Sequence, residues 1–183
     1  MRILAISGSL RAASSNTALL RAAAALAPEN MEVVLYGGLG DLPHFNPDLE
    51  GAAPPAVIDL WARVREADGL LIACPEYAHG VPGAMKNALD WLVGGEEFIR
   101  KPVALLNAAP RATHAQASLA ETIRTMSGRI VAEASIAVPL LGRSFAAGIA
   151  ADPEIASALR EALAAFSRAI EVFRAEDAAL YGV

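Results

Sequence analysis

Short runs of uninterrupted apolar residues recur along this chain, and they constrain its fold more than any other sequence feature. Residues 2–7 (RILAIS), 69–74 (GLLIAC) and 102–107 (PVALLN) are clear examples. Because these runs lack the polar alternation of a half-exposed strand, they predict strands that are buried on both faces. Strands of this kind are typical of parallel sheets covered by helices on either side.

The segments between these runs predict helices, so that strands and helices alternate along the chain. Further strands are predicted at residues 32–36 and within 130–138. Helices are predicted at residues 16–27, 56–67, 82–93, 114–127 and from Asp152 to about residue 176. A long loop is predicted at residues 37–55, and its length indicates a function or an interface. Five parallel strands with helices on both faces predict one doubly wound α/β domain over residues 1–183.

Composition and charge disfavour several classes of protein. The 183 residues are 55% hydrophobic and 19% charged, a balance that excludes intrinsic disorder. The net charge of −5, without a cluster of Lys and Arg, disfavours nucleic-acid binding. No apolar run reaches the roughly 18 residues of a membrane span, and the N-terminal run is too short for a signal peptide. We therefore expect a cytoplasmic protein that binds neither nucleic acid nor membranes.

Ligands of doubly wound sheets bind beyond the carboxyl ends of the strands, which directs attention to the loops after the first, third and fourth strands. The first of these loops, residues 7–17, offers hydroxyl groups, a flexible glycine, Arg11 and the beginning of a helix. Such a loop can bind a terminal phosphate. Its serines could instead act only as helix caps. The loop lacks both the G-x-G-x-x-G and the G-K-[ST] patterns, so neither a dinucleotide-binding nor a Walker loop is predicted.

The loop after the third strand contains two prolines and two glycines that restrict its shape. Tyr77 could stack on a planar ring, and the N–H groups of residues 76–80 could bind the polar edge of that ring. An ordinary surface tyrosine, and a His79 satisfied by backbone groups, are the competing interpretations. Helix capping or a solvated face is expected of Lys86, Asn87 and Asp90. A place in the core or in an interface is expected of Trp91.

Thiol and metal chemistry are not predicted. Cys74 is expected to be a buried core thiol, because a nucleophile elbow needs glycines around its nucleophile and Pro75 follows here. The three histidines lack the spacing of metal ligands. The loop after the fourth strand, residues 107–114, is either a third wall of the cleft or a plain turn with Thr113 as the helix cap.

Together these loops resemble those of the NADPH-dependent FMN reductase family, a flavodoxin-like group that includes small bacterial quinone, chromate and azo-dye reductases. The matching segments are Gly8–Arg11, Ser15–Thr17, Leu42-Pro43, Asn46–Asp48, Pro75–Tyr77, His79–Gly83, Lys86–Trp91 and Lys101–Val103. The resemblance implies a flavodoxin-like three-layer α/β sandwich with a five-stranded parallel sheet of order 2-1-3-4-5. It also implies FMN as the cofactor, NAD(P)H as the electron donor and a homodimer or homotetramer.

The family pattern also implies roles for individual residues. The FMN phosphate would be held by Ser9, Arg11, Ser15, Asn16 and Thr17. The ribityl chain and the isoalloxazine ring would be flanked by Pro75, Glu76, Tyr77, Ala78, His79 and Gly80. The remaining members of the predicted cofactor-binding set are Ala108 and Arg111. No side chain is expected to be indispensable as an acid or base, because the flavin carries the chemistry.

Two residues depart from the family pattern. Ala78 replaces the asparagine that usually follows Pro-Glu-Tyr, and Arg111 stands in a loop where the family often has glycines. Arg111 could attract a phosphate of the nicotinamide cofactor or crowd the flavin ring.

The predicted function is an FMN-dependent NAD(P)H oxidoreductase with a ping-pong cycle. Its small-molecule acceptors would be quinones, flavins or chromate, azo or nitro compounds. A flavodoxin-like electron carrier or binding module without NAD(P)H turnover, and a flavin-free domain that has kept the fold, are the alternatives.

Overall fold

A computed structural model describes residues 1–140 and 148–181. The strands are β1 (Arg2–Ser7), β2 (Glu32–Leu35), β3 (Gly69–Ala73), β4 (Pro102–Asn107), β5 (Arg129–Ile130) and β6 (Ile136–Ala137). The helices are α1 (Ser15–Ala25), α2 (Pro55–Glu66), α3 (Gly83–Val93), α4 (Thr113–Thr125) and α5 (Pro153–Tyr181). All strand pairs are parallel and follow the order β2-β1-β3-β4-β5, with β6 paired to β4. The predicted flavodoxin-like sheet order is confirmed.

The helices cover both faces of the sheet and make a three-layer sandwich. Alternate strand residues point to opposite faces, because the side-chain period of a strand is two. Leu70 and Ile72 of β3 therefore pack with α2, α3 and α4, whereas Leu71 and Ala73 pack with α1 and α5. This two-sided burial explains why the strands are apolar throughout. None of the helices in the described part of the chain combines the length and apolarity needed to cross a bilayer.

A fifth strand is present as predicted, at the beginning of residues 130–138, but it is short and a sixth strand follows it. A turn of 3-10 helix at Ala132–Ala134 separates β5 from β6, so the described sheet has six strands. The Ser135 hydroxyl accepts a hydrogen bond from Leu105 N at 3.0 Å and donates one to Val131 O at 2.8 Å. A side chain thus takes the place of a backbone partner of β4 at the interruption. The last helix also differs from the prediction, because α5 extends to Tyr181 rather than ending near residue 176.

The predicted loop at residues 37–55 contains two 3-10 helices, Gly38–Asp41 and Pro47–Ala52. Asn87 of α3 holds the segment between them, because it accepts from Phe45 N at 2.7 Å and donates to Pro43 O at 2.9 Å. The expectation that Asn87 caps a helix or lies on a solvated face is therefore wrong. Trp91 is 1% exposed, which confirms core packing, and its Nε1 also donates to Pro43 O.

Candidate functional site

A cleft of about 390 Å³ opens at the carboxyl ends of β1, β3 and β4. Its volume lies in the range of small-molecule binding sites. Nine predicted cofactor-binding residues line it: Ser9, Arg11, Ser15, Asn16, Pro75, Glu76, Tyr77, Ala108 and Arg111. The other four, Thr17, Ala78, His79 and Gly80, lie outside this lining. Sequence reasoning missed Ala13, Ser14, Ala109 and Ala112 as lining residues, because small side chains carry no chemical signal of their own.

The β1–α1 loop leaves the sheet directly against β3 because Gly8 has no side chain. Gly8 N donates to Ala73 O at 2.8 Å, and a Cβ at this position would lie 2.6 Å from Cys74 Sγ. Cys74 is 3% exposed, and burial raises the pKa of its thiol to about 12. The expectation of a buried core thiol is confirmed.

Hydroxyl groups of this loop divide between capping and the cleft. Ser14 Oγ accepts from Thr17 N at 3.3 Å and caps α1. The Thr17 hydroxyl exchanges a hydrogen bond with Ser7 Oγ at 2.8 Å. Its contact with a phosphate stays a prediction. Within residues 1–140 and 148–181, Ser15 makes no side-chain hydrogen bond and Arg11 makes no ion pair, so both can serve a ligand.

Asn16 lines the cleft while only 7% exposed. Its Oδ1 is buried and has no hydrogen-bond partner among the described residues. Buried polar groups normally have partners, but Oδ1 is an acceptor, so the group of Asn16 that can serve an anion is its amide Nδ2. Rotation about Cβ–Cγ exchanges Oδ1 with Nδ2, which can donate to an anion. Asn16, the Arg11 guanidinium and the N-terminus of α1 fit the phosphate of FMN.

The segment after β3 forms a tight turn that uses some of its own N–H groups. Tyr77 N donates to Gly80 O at 3.1 Å, and Gly80 N donates to Tyr77 O at 2.9 Å. Of the N–H groups of residues 76–80 that could bind the polar edge of a ring, these two are therefore already paired within the turn. Ala78 and His79 occupy the centre of the turn with φ of 50° and 59°. Asparagine tolerates this left-handed region better than alanine. This is a physical reason for the asparagine that the family usually has where this chain has Ala78.

Glu76 connects two walls of the cleft. Its Oε2 accepts from Ala115 N at 2.9 Å, and its Oε1 lies 3.1 Å from His79 Nδ1. The bond from Ala115, followed by the charges of His114 and His79, lowers the pKa of the Glu76 carboxyl. The Thr113 cap considered for α4 is wrong, because Ala112 occupies the cap position and the Glu76 carboxylate satisfies the first turn.

His79 and His114 lie together at the edge of this link, with ring centroids 4.5 Å apart in an edge-to-face arrangement. No group of three side chains suited to hold a metal ion occurs within the ranges that the structure describes. The three loops therefore bring together a cationic, hydroxyl-bearing end near α1 and an aromatic end at Tyr77. A doubly wound fold with such a cleft defines a class of nucleotide-binding α/β proteins.

The sequence profile of the family described as NADPH-dependent FMN reductase matches residues 1–140. The chain belongs to this family.

Relatives with related names cover parts of the chain. A "Probable NADPH:quinone oxidoreductase 2" of rice is 46% identical over 95 residues, which are 50% of this chain and 47% of that protein. An "NAD(P)H-dependent FMN reductase" of Pseudomonas aeruginosa is 40% identical over 112 residues, 60% of each chain. The chain thus spans about half to three fifths of the length of these curated relatives.

A solved structure matches over nearly the whole chain. The flavoenzyme "NAD(P)H:(acceptor) oxidoreductase (FerB)" of Paracoccus denitrificans superposes with a TM-score of 0.77 at 30% sequence identity. The match covers 94% of this chain and 98% of that one. The agreement includes residues beyond 140, where the family profile ends.

Proposed function

We propose that this protein is an FMN-dependent NAD(P)H oxidoreductase that reduces quinones or similar small acceptors. The observation that carries the proposal is the cleft at the carboxyl ends of the strands, whose lining brings Arg11 and Asn16 of the β1–α1 loop together with Tyr77. The names of the FMN reductase and quinone oxidoreductase relatives support the same reaction class.

The chain's own residues would position the cofactor. Ser9, Arg11, Ser15 and Asn16 would hold the phosphate, and Thr17 would support them through the α1 N-terminus. The Pro75–Tyr77 segment and the residues Ala108 and Ala109 after β4 would flank the rest of the molecule. FMN, when bound, supplies the redox chemistry, taking a hydride equivalent from NAD(P)H and passing electrons to an acceptor.

Electrostatics around the turn after β3 would tune that chemistry. Backbone N–H groups at Glu76, Ala78 and His79 have no acceptor within the described residues, unlike those of Tyr77 and Gly80. Fixed donors of this kind stabilise negative charge where it develops, at no reorganisation cost. Glu76 would keep the turn in place through its bond to α4. No side chain acts as an obligatory acid or base in this proposal.

Donor and acceptor would use the same open face in turn, which gives a ping-pong cycle. Quinones are the first expected acceptors, followed by flavins and by chromate, azo or nitro compounds. The alternative of an electron carrier fits less well, because carriers are usually strongly acidic and the net charge here is −5.

Residues 1–183 would act as one FMN-binding domain, and the domain would form a homodimer or homotetramer. The 38–55 loop and the helix after Pro82 are the expected interface. Val93 at the end of α3 is 56% exposed and Leu49 of the loop is 38% exposed, which supports this choice. Light scattering of purified protein should give two or four chains, and replacing Val93 by Asp should lower that number.

The function is tested by FMN binding followed by turnover. FMN fluorescence should be quenched when purified protein is titrated in, and the loaded protein should oxidise NADPH faster when benzoquinone is added. Double-reciprocal plots at several quinone concentrations should be parallel. FMN binding without NADPH oxidation would favour the carrier, and the absence of FMN binding would leave only the flavin-free alternative.

A further inference from the structure

We propose that Arg111 binds a phosphate group of the nicotinamide dinucleotide donor. The proposal rests on the proposed function and names the part of the cleft that the donor uses. It depends on a contrast between the cations at the two ends of the sheet.

At the amino ends of the strands, cations are neutralised by carboxylates. Arg2 pairs with Glu66 at 2.8 Å, and Arg129 pairs with Asp177 at 3.0 Å. Further pairs join Arg100 to Asp177 and Arg174 to Asp68. Most of the positive charge at this end is therefore engaged with carboxylates of the fold.

The carboxyl ends of the strands show the opposite balance. Arg11 and Arg111 both line the cleft, and neither has an ion-pair partner in residues 1–140 or 148–181. Glu76 is the one acidic residue in the lining, and its two carboxylate oxygens already face Ala115 N and His79 Nδ1. Within the described residues, neither arginine of the cleft lining has a carboxylate partner, whereas the single carboxylate of the lining is already hydrogen-bonded.

FMN contains a single phosphate group, and the proposed function places that group at one of the two arginines. Arg11 lies on the loop that begins α1, where the helix N-terminus also favours that phosphate. Arg111 lies on the loop after β4, and β3 stands between β1 and β4. Because neighbouring strands are about 4.8 Å apart, the two loops leave the sheet roughly 10 Å from each other. Arg111 is therefore left to bind a second anionic group that enters the cleft.

The nicotinamide donor supplies such an anion. NADH carries a pyrophosphate, and NADPH carries in addition a 2′-phosphate. An arginine matches phosphate oxygens with paired N–H donors. Arg111 is exposed at the rim, so its side chain can reach a ligand that enters from solvent. These features favour attraction of the donor over crowding of the ring.

The test uses direct binding as well as turnover. We expect Arg111→Ala in the FMN-loaded protein to weaken NADP⁺ binding in calorimetry by about tenfold, the size of one charge-assisted hydrogen bond. The KM for NADPH should rise by a similar factor, while the dissociation constant of FMN changes less than about twofold. Arg160→Ala is the control and should leave all three values unchanged, because it removes an exposed cation of α5 that has no ion pair with any residue the structure describes.

Adenosine 2′,5′-bisphosphate and NAD⁺ identify the phosphate that is bound. If Arg111→Ala weakens the binding of NADP⁺ and of the bisphosphate but not of NAD⁺, Arg111 binds the 2′-phosphate. If it weakens the binding of NAD⁺ as much as that of NADP⁺, Arg111 binds the pyrophosphate. Unchanged NADP⁺ binding in Arg111→Ala, or a loss of FMN affinity that is as large, would overturn the proposal. If wild-type protein binds no FMN at all, the proposed function fails first, and that failure is visible before any donor is added.

Discussion

Glu76 Oε2 accepts a hydrogen bond from Ala115 N at 2.9 Å and so joins the loop after β3 to the first turn of α4. The loop after β3 and the loop that leads into α4 are neighbouring walls of the cleft. A carboxylate at a helix N-terminus is stabilised both by the N–H group and by the helix dipole. The Glu76 side chain, which belongs to the Pro-Glu-Tyr motif, thus has a structural partner 39 residues away.

This bond predicts a pH-dependent contribution to stability. The pKa of Glu76 is lowered in the folded state, chiefly by the bond from Ala115. The contribution should therefore be complete above the unfolded pKa of about 4.3 and be lost as the pH falls through the lower folded value. We expect Glu76→Gln to unfold at lower urea concentration than wild type at pH 7, and the difference to shrink at pH 3.

Glu121→Gln is the control for this experiment, because Glu121 is an exposed helical carboxylate with only a 3.8 Å contact to Arg124. Its urea midpoint should follow that of wild type at both pH values. A pH-independent effect of Glu76→Gln would mean that the charge of Glu76 contributes nothing to the link.

Because the backbone of Ala78 is left-handed, we expect that a substitution at this residue can stabilise the protein. Its φ of 50° is unfavourable for alanine by about 1–2 kcal/mol, and asparagine relieves part of this. Ala78→Asn should raise the free energy of unfolding by about 0.5–1 kcal/mol in urea titrations. Ala78→Val should lower it, because β-branched residues resist positive φ. A stabilising valine would contradict the turn geometry.

Arg11 is expected to contribute directly to FMN affinity. Replacing it by alanine should weaken FMN binding by about 1.5–3 kcal/mol, the range for a hydrogen bond to a charged group. Fluorescence titration of apoprotein measures the change, with Arg160→Ala as the charge-matched control. Equal affinities of the two variants would place the phosphate outside the β1–α1 loop.

Close contact between Gly8 and Cys74 predicts an energetic coupling. A methyl group at position 8 would lie 2.6 Å from Cys74 Sγ, so Gly8→Ala should cost about 1–3 kcal/mol of stability through overpacking. Adding Cys74→Ala should remove part of that cost, and a double-mutant cycle in urea measures the coupling. Additive effects would show that the strain lies in the backbone near Cys74 Cα rather than at its sulfur.

Cys74 itself should be unreactive and dispensable for turnover. Because burial raises its pKa to about 12, almost no thiolate exists at pH 8. Native protein should react with iodoacetamide far more slowly than urea-unfolded protein. Folded Cys74→Ser should keep NADPH oxidation within about twofold of wild type. Loss of turnover in a folded serine variant would instead indicate that the thiol takes part in the reaction.

The order of strands and helices could be predicted from the chain alone, because burial on both faces leaves an unmistakable apolar run. The loops after β1, β3 and β4 could be identified for the same reason, since the end of each run marks the edge where ligands bind. The sheet order 2-1-3-4-5 came from the resemblance of the loop motifs to a family. Periodicity cannot say which strands are neighbours.

Contacts between distant residues were decided only by the tertiary structure. At the interruption between β5 and β6, the Ser135 hydroxyl accepts a hydrogen bond from the backbone N–H of Leu105, 30 residues earlier. Asn87 holds a loop 44 residues away through Pro43 O, although its helical position resembles a surface site. Polar side chains of this kind can be satisfied by water or by protein, and the local sequence is the same in both cases. The amino-acid order therefore determined the layers and the cleft, and folding determined which polar groups remain free to bind a ligand.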